Sequence, residues 1–317
     1  MTANTAKDTL PEGFAAYWDQ IDHELAAVPA APEAEAVPLH STDVSDTSLV
    51  KLTGIGRYRF NVFLSVPHGE GPFPALMLIP GYGSVVTPPL YDDRLRYVAI
   101  SVRHRGTRGA DKPYAAKYPG LLTDGIGDPG TWMFRGILAD LIRAYEFLAG
   151  HEKVDPARIA INGGDPGVIV SARRPGAHAL AIGGPFFTRL VAHYPTTEAY
   201  PYEEINDYLR AEPDDRAGID RTLAFFDPVN HASKVTANTF ISMGDTGSYG
   251  GPEFMVPLVD ALGGGVTQYP ISHEGQTDYD AVDAWLANQQ GVAPRPRTWV
   301  PHDIGPWSAA DGQERRP

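Results

Sequence analysis

Residues 158–170, RIAINGGDPGVIV, limit the possible folds more than any other stretch of the chain. An apolar run, a glycine-rich turn and a second apolar run read as a buried strand entering a helix. The turn carries Asp165 followed by Pro166. Aspartate is a good N-cap and proline suits the first helical position, so this pair can start a helix without any further role. A strand that feeds straight into a helix belongs to a βα unit. Such units require a mostly parallel sheet with helices over both faces.

The same rhythm runs along the chain. In residues 11–28, PEGFAAYWDQIDHELAAV, the side chains of Phe14, Trp18, Ile21 and Leu25 recur at spacings of three and four, which predicts an amphipathic helix. PAAPEAEAVP reads as a linker. SLVKLTGIG and YRFNVFLSVP alternate like an antiparallel strand pair. FPALMLIP and RYVAISV are strands that run into GYGS and RHRGTRG. After a loop rich in Gly, Tyr and Pro, MFRGILADLIRAYEFLAGH is a helix with one apolar face. HALAIGGPF, NTFISMGD and GVTQYPISH supply further strands. Residues 188–226 are helical and aromatic and interrupt the rhythm, as an inserted cap would. The expected organisation is one α/β domain over residues 1–290, with the cap at about 188–226 and a C-terminal tail or arm over 291–317.

Charge and composition narrow the partners. A formal charge of -13 opposes binding to nucleic acid or an anionic membrane. The chain has no cysteine, which excludes disulfides, thiolate metal sites and cysteine nucleophiles. The opening MTANTAKDTLPEG has neither the basic start nor the apolar run of a signal peptide, and a cytoplasmic protein is expected. No metal or cofactor is predicted: the HE pair at 273–274 has no second ligand at helical spacing, and HEK at 151–153 reads as surface.

Three residues stand where chemistry collects in open α/β sheets, at the carboxyl ends of strands. Asp165 follows IAIN, Asp245 follows TFISMG, and His273 follows TQYPIS. Singly, Asp165 is a helix cap, Asp245 a turn residue, and His273 one of ten histidines. Together they follow the chain order nucleophile, acid, histidine of α/β-hydrolases, whose nucleophile sits on a G-x-S-x-G elbow between strand and helix. Here that elbow is Gly163-Gly164-Asp165-Pro166-Gly167.

From about Gly13 to Gln290 the chain resembles the acetyl xylan esterase and cephalosporin C deacetylase branch of the α/β-hydrolases. PALMLIPGYGS is similar to the family's oxyanion strand and H-G-Y-G turn, with Pro80 in place of the histidine. SVRHRG stands where the family has R-G-Q-G, and VDPARIAINGGDPG where it has its serine elbow. YPGLLTDGIGDPGTWMFRGILADLIRAYEFL, RTLAFFDPVNHA, SMGDTGSYGGPE and SHEG match further segments in order. By position the resemblance gives Asp165 the nucleophile's place, Asp245 the acid's, His273 the base's, and one oxyanion amide to Tyr82. It also implies an acetyl-sized pocket, an acetylated small-molecule substrate and a homo-oligomer. Arg103 and Arg105 are candidates for orienting an anionic group, or are salt-bridged loop residues. Trp132, Phe134, Phe186 and Phe187 are candidates for an apolar pocket wall, or for core packing.

The departures from the family bear on the chemistry. The family's second oxyanion donor is the amide after the serine, and Pro166 has no N–H. Losing one such donor costs about 2.7–4 kcal/mol of transition-state stabilisation. A carboxylate attacking an acetyl ester would give a mixed anhydride and still need that hole. Acetate elimination from an O-acetylated small molecule, with Asp165 and His273 as an acid–base pair, avoids it. Enzymes of this fold in tetronate polyketide pathways eliminate acetate to leave an exocyclic methylene, and the chain is compatible with that group. The alternatives are a hydrolase working through an aspartyl ester on Asp165, a residual deacetylase, and a degenerate esterase kept for binding.

Overall fold

The computed structural model describes residues 10–107, 115, 117–271 and 277–297. Nine strands form one mixed sheet among these residues. They are β1 (Glu33–Ala36), β2 (Ser45–Thr53), β3 (Arg59–Pro67), β4 (Phe73–Leu78), β5 (Val98–Arg103), β6 (Val154–Gly163), β7 (Ala177–Ile182), β8 (Asn238–Met243) and β9 (Val266–Pro270). Their spatial order is β1-β2-β3-β5-β4-β6-β7-β8-β9. The pairs from β1 to β5 are antiparallel, and every pair from β5 through β4 to β9 is parallel.

Helices cover both faces because successive strand residues point to opposite sides. Met77, Ile100, Ile161, Leu180 and Ile241 join one core. It includes side chains of α1 (Phe14–Ala26), α3 (Met133–Ala149) and α4 (Pro166–Arg173). Their neighbours Leu76, Ala99, Ala160, Ala179 and Phe240 face the other way. There they meet Ala281, Val282 and Leu286 of α9 (Tyr279–Gln290). A short helix α2 (Tyr91–Arg96) joins β4 to β5. The helix predicted at the N-terminus forms, and Phe14, Trp18, Ile21 and Leu25 are its buried residues. Its Trp18 ring is fully enclosed and donates from Nε1 to the Phe225 carbonyl at 3.0 Å.

One expectation is corrected here. The linker PAAPEAEAVP contains β1, an edge strand that pairs with β2 from Glu33↔Lys51 to Ala36↔Ser48. All four of its residues are exposed, so no hydrophobic alternation marks it. Its glutamates also suit a sheet edge that must not recruit another chain.

Between β7 and β8 lie α5 (Leu190–His193), α6 (Glu203–Ala211) and α7 (Arg216–Phe226). α8 (Pro252–Ala261) follows β8. The tail expected over 291–317 is described only to residue 297. Arg295 and Arg297 tie that portion to Asp280 and Asp278 of the α9 start, at 3.1 and 3.0 Å. Residues 298–317 fall outside the described residues. No helix among the described residues is long and apolar enough to cross a membrane.

The connections fix where a ligand site belongs. β4 has β5 on one side and β6 on the other, so successive crossovers leave it in opposite directions. That reversal opens a crevice beyond the carboxyl ends of β4 and β6. The Pro80-Gly81-Tyr82 turn and the Asp165 elbow both lie there.

Candidate active site

A cavity of about 1130 Å³ occupies that crevice. Its walls include Pro80 and Tyr82 after β4, Gly164 and Pro166 of the elbow, Phe186 after β7, and Glu204 from α6. Phe134, Tyr200 and Thr277 also line it. The elbow is packed tightly from below. A Cβ on Gly167 would lie 2.8 Å from Leu180 Cδ1 and 3.2 Å from Ile161 Cγ2, so only glycine lets α4 sit this close to the sheet.

Asp165 is not among the lining residues; it lies beneath the cavity floor and is fully buried. Its backbone, at φ -63° and ψ -14°, is ordinary right-handed geometry. A serine elbow is instead a sharp, strained turn that exposes the nucleophile. The carboxylate turns toward the loop after β7. Its Oδ2 accepts from the Phe187 amide at 2.8 Å, the Thr188 amide at 2.7 Å and the Thr188 hydroxyl at 2.7 Å. Oδ1 is buried with no hydrogen-bond partner among the described residues. Burial pushes the Asp165 carboxyl above the usual carboxylate range, against the opposing pull of these hydrogen bonds.

The loop that receives Asp165 is held from its other side. The Tyr249 hydroxyl donates to the Thr188 carbonyl at 2.8 Å and the Phe186 carbonyl at 3.2 Å. The Tyr249 ring stacks on His193 with centroids 3.7 Å apart. Asp227 accepts from the Arg189 amide at 3.2 Å and the Val229 amide at 3.0 Å. Residues 187–189 therefore donate to two carboxylates, the buried Asp165 and the half-buried Asp227. Burial, helped by the charge of Asp165, pushes Asp227 up from 3.8 to about 6. A carboxyl whose folded pKa is raised stabilises the fold below its unfolded pKa, and that contribution is lost as pH rises through the folded pKa. Asp227→Asn removes the titration and keeps an acceptor for the loop. The stability advantage of wild type over Asp227→Asn is expected to shrink by up to about 3 kcal/mol between pH 4 and pH 7.5. Urea denaturation at the two pH values checks this; an advantage that grows with pH contradicts it.

The remaining candidates separate into cavity wall and scaffold. Tyr82, Pro166 and Phe186 line the cavity. No acceptor among the described residues takes the Tyr82 amide. Trp132 is not a lining residue. It is buried, donates from Nε1 to the Leu122 carbonyl at 2.7 Å, and packs on Phe134, Phe187 and Phe226 behind the wall. Neither arginine lines the cavity. Arg105 forks onto the buried carboxylate of Asp140 at 2.9 and 2.8 Å, donates to the Ile55 carbonyl, and lies over the Tyr58 ring. Arg103 lies over Phe63 at 5.0 Å.

Asp245 follows β8 in an exposed turn, and its main-chain carbonyl accepts from Ser248. Its carboxylate makes no hydrogen bond or ion pair among the described residues. β7 separates its strand from that of Asp165. No hydrogen bond joins the two aspartates among the described residues. His273 lies outside the described residues.

One cavity residue carries no sequence motif. Glu204 is buried, and its Oε1 and Oε2 both lie 2.8 Å from the Tyr82 hydroxyl. Its only sequence signal is helical spacing with Tyr200 and Tyr208. No cluster of potential metal ligands occurs among the described residues.

The mostly parallel sheet covered on both faces, with its elbow and switch-point cavity, defines an α/β-hydrolase fold. The pattern of the acetyl xylan esterase family (AXE1) matches residues 2–255. The chain belongs to that family of esterases. It is 23% identical over 257 residues to the acetyl esterase Axe7A of Xylanibacter ruminicola, covering 74% of this chain and 56% of that protein. The chain thus spans little more than half the length of that relative. Among solved structures, the acetyl xylan esterase from Paenibacillus sp. R4 superposes with a TM-score of 0.79 at 22% identity, over 90% of this chain and 96% of that one. Acetyl xylan esterase 1 from Thermoanaerobacterium sp. JW/SL YS485 gives 0.73 at 19% identity, over 84% and 88%.

Proposed function

We propose that this chain is a lyase that releases acetate from an O-acetylated small molecule by elimination, on a scaffold built for ester hydrolysis. The observation that carries the reading is the elbow. The group in the serine's place is a carboxylate beneath the cavity floor, with three donors on Oδ2, and the next residue lacks the amide that acyl transfer needs. An attacking oxygen must reach the substrate carbon; here Oδ2 is held by a loop and Oδ1 is buried.

A proton acceptor can work through an intermediary. In the proposed reaction His273 lifts a C–H proton from the carbon beside a carbonyl, and the electron pair forms the new double bond. The C–O bond breaks and its electrons leave with acetate. Asp165, whose Oδ1 has no hydrogen-bond partner among the described residues, is the carboxylate of the acid–base pair and balances the charge that the base takes up. The substrate class is an acetate ester one carbon removed from an acidic C–H; an acetoxymethyl tetronate, which would yield an exocyclic methylene, is one such compound. The incomplete oxyanion hole disfavours attack on the acetyl carbonyl.

Turnover of a 5-acetoxymethyl tetronate in heavy-oxygen water tests the reading. The expected products are an alkene and acetate without solvent oxygen. Labelled acetate would mean ester hydrolysis. An alcohol with label in the Asp165 peptide would mean an aspartyl ester, and either result overturns the proposal.

A further inference from the structure

The cavity wall also holds a second pair of groups able to share a proton. Tyr82 comes from the turn after β4 and Glu204 from the first turn of α6, and both line the cavity. The Leu122 amide donates to the Tyr82 oxygen and to Glu204 Oε2, each at 3.0 Å. The cluster is built for close contact: a Cβ on Gly120 would lie 2.2 Å from the Glu204 carboxyl. Aromatic rings fix the phenol, with Phe186 stacked at 5.6 Å and Tyr200 edge-on at 5.6 Å.

Two hydrogen placements satisfy these distances. With Glu204 ionised, the phenol spends its proton on the carboxylate. With Glu204 protonated, the carboxyl donates to the phenol oxygen, which also accepts from Leu122, and the phenol proton is released toward the cavity. Burial pushes the Glu204 carboxyl above its usual range, against the pull of its hydrogen bonds, which favours the second placement more than solvent would.

We infer that Tyr82 is a catalytic residue that donates its hydroxyl proton in a hydrogen bond to the departing acetate, and that Glu204 is the positioning residue that keeps this proton free to be donated. The inference rests on the elimination reading above. As the C–O bond breaks, its electron pair goes to the acetate oxygen, the C–H proton is on the base, and the phenol keeps its own proton. The hydroxyl stabilises charge that exists only once the bond has begun to break.

The strength of the leaving group separates this role from a packing role. Tyr82→Phe keeps the ring and removes the donor. With a 5-acetoxymethyl tetronate, Tyr82→Phe is expected to lower kcat about 10²-fold, and with the chloroacetyl analogue, whose leaving group needs less help, only about 10-fold. Glu204→Gln can still donate from its amide to the phenol oxygen and should stay within about 3-fold of wild type, while Glu204→Leu should lose about as much as Tyr82→Phe. The double variant Tyr82→Phe/Glu204→Leu should be no worse than Tyr82→Phe alone, because Glu204 acts through the hydroxyl. Circular-dichroism melts confirm that each variant is folded under assay conditions. Equal losses with both leaving groups, or additive losses in the double variant, overturn the pair while leaving elimination intact. An alcohol product from the wild-type enzyme instead overturns the elimination reading, whatever Tyr82→Phe does.

Discussion

Asp165→Ser is expected to leave p-nitrophenyl acetate hydrolysis near background, whereas Asp165→Ser with Pro166→Gln should hydrolyse it about 10²–10³ times faster than the single variant. The single change puts a hydroxyl at the family's nucleophile position but leaves proline after it, and proline cannot donate to a tetrahedral oxyanion. By the family pattern, the amide of Tyr82 would then be the one backbone donor left to the oxyanion. Glutamine restores the second. The serine also has a structural cost. It is too short to replace Oδ2 against the Phe187 amide, the Thr188 amide and the Thr188 hydroxyl. Each buried donor left without an acceptor costs about 1–3 kcal/mol. Both serine variants should therefore melt below wild type, and the assay belongs well under their midpoints. Equal rates for the single and double variants would show that the missing amide is not what blocks hydrolysis.

Local pattern made much of this architecture readable. Apolar spacing marked Phe14, Trp18, Ile21 and Leu25 because a helix packing one face on a core repeats on that spacing. The same held for β2 and β3, whose alternation reflects one face turned inward. β1 escaped because an exposed edge strand has no inward face. At the site, position along the chain revealed which residues stand at strand ends, but not where their side chains point. The direction of Asp165 is set by amides at 187 and 188, on a different strand's loop. The engagement of Arg105 depends on Asp140, which α3 brings up from 35 residues away. Glu204 lies still further from its partner, 122 residues from Tyr82. Long-range pairings of this kind follow from the three-dimensional crossing of elements, and no periodicity encodes them.

The second large effect comes from the same residue with a change of opposite character. Asp165→Asn keeps the side chain's shape. Its carbonyl oxygen can accept from the Phe187 and Thr188 amides as Oδ2 does, and its NH2 group occupies the place of Oδ1. That atom can then only donate. A base that relies on Oδ1 to hold or pass its proton loses this partner, and general acid–base contributions of this type are worth about 10²–10⁴-fold in rate. Turnover of a 5-acetoxymethyl tetronate should fall by that amount, while the affinity for the unreacted ester, measured by calorimetry with the variant, stays within about 3-fold because Asp165 lies outside the cavity wall. Stability should move the other way. Burial raises the pKa of Asp165, so its charged form is disfavoured in the fold, and its stabilising contribution is lost as pH rises through the raised pKa. A neutral asparagine has no charge to bury, so the stability of wild type relative to the variant should fall as pH rises through the raised pKa. Lost turnover in a protein whose melt shows it folded under assay conditions separates chemistry from folding. An asparagine variant that works at the wild-type rate would remove Asp165 from the elimination and from the aspartyl-ester route alike.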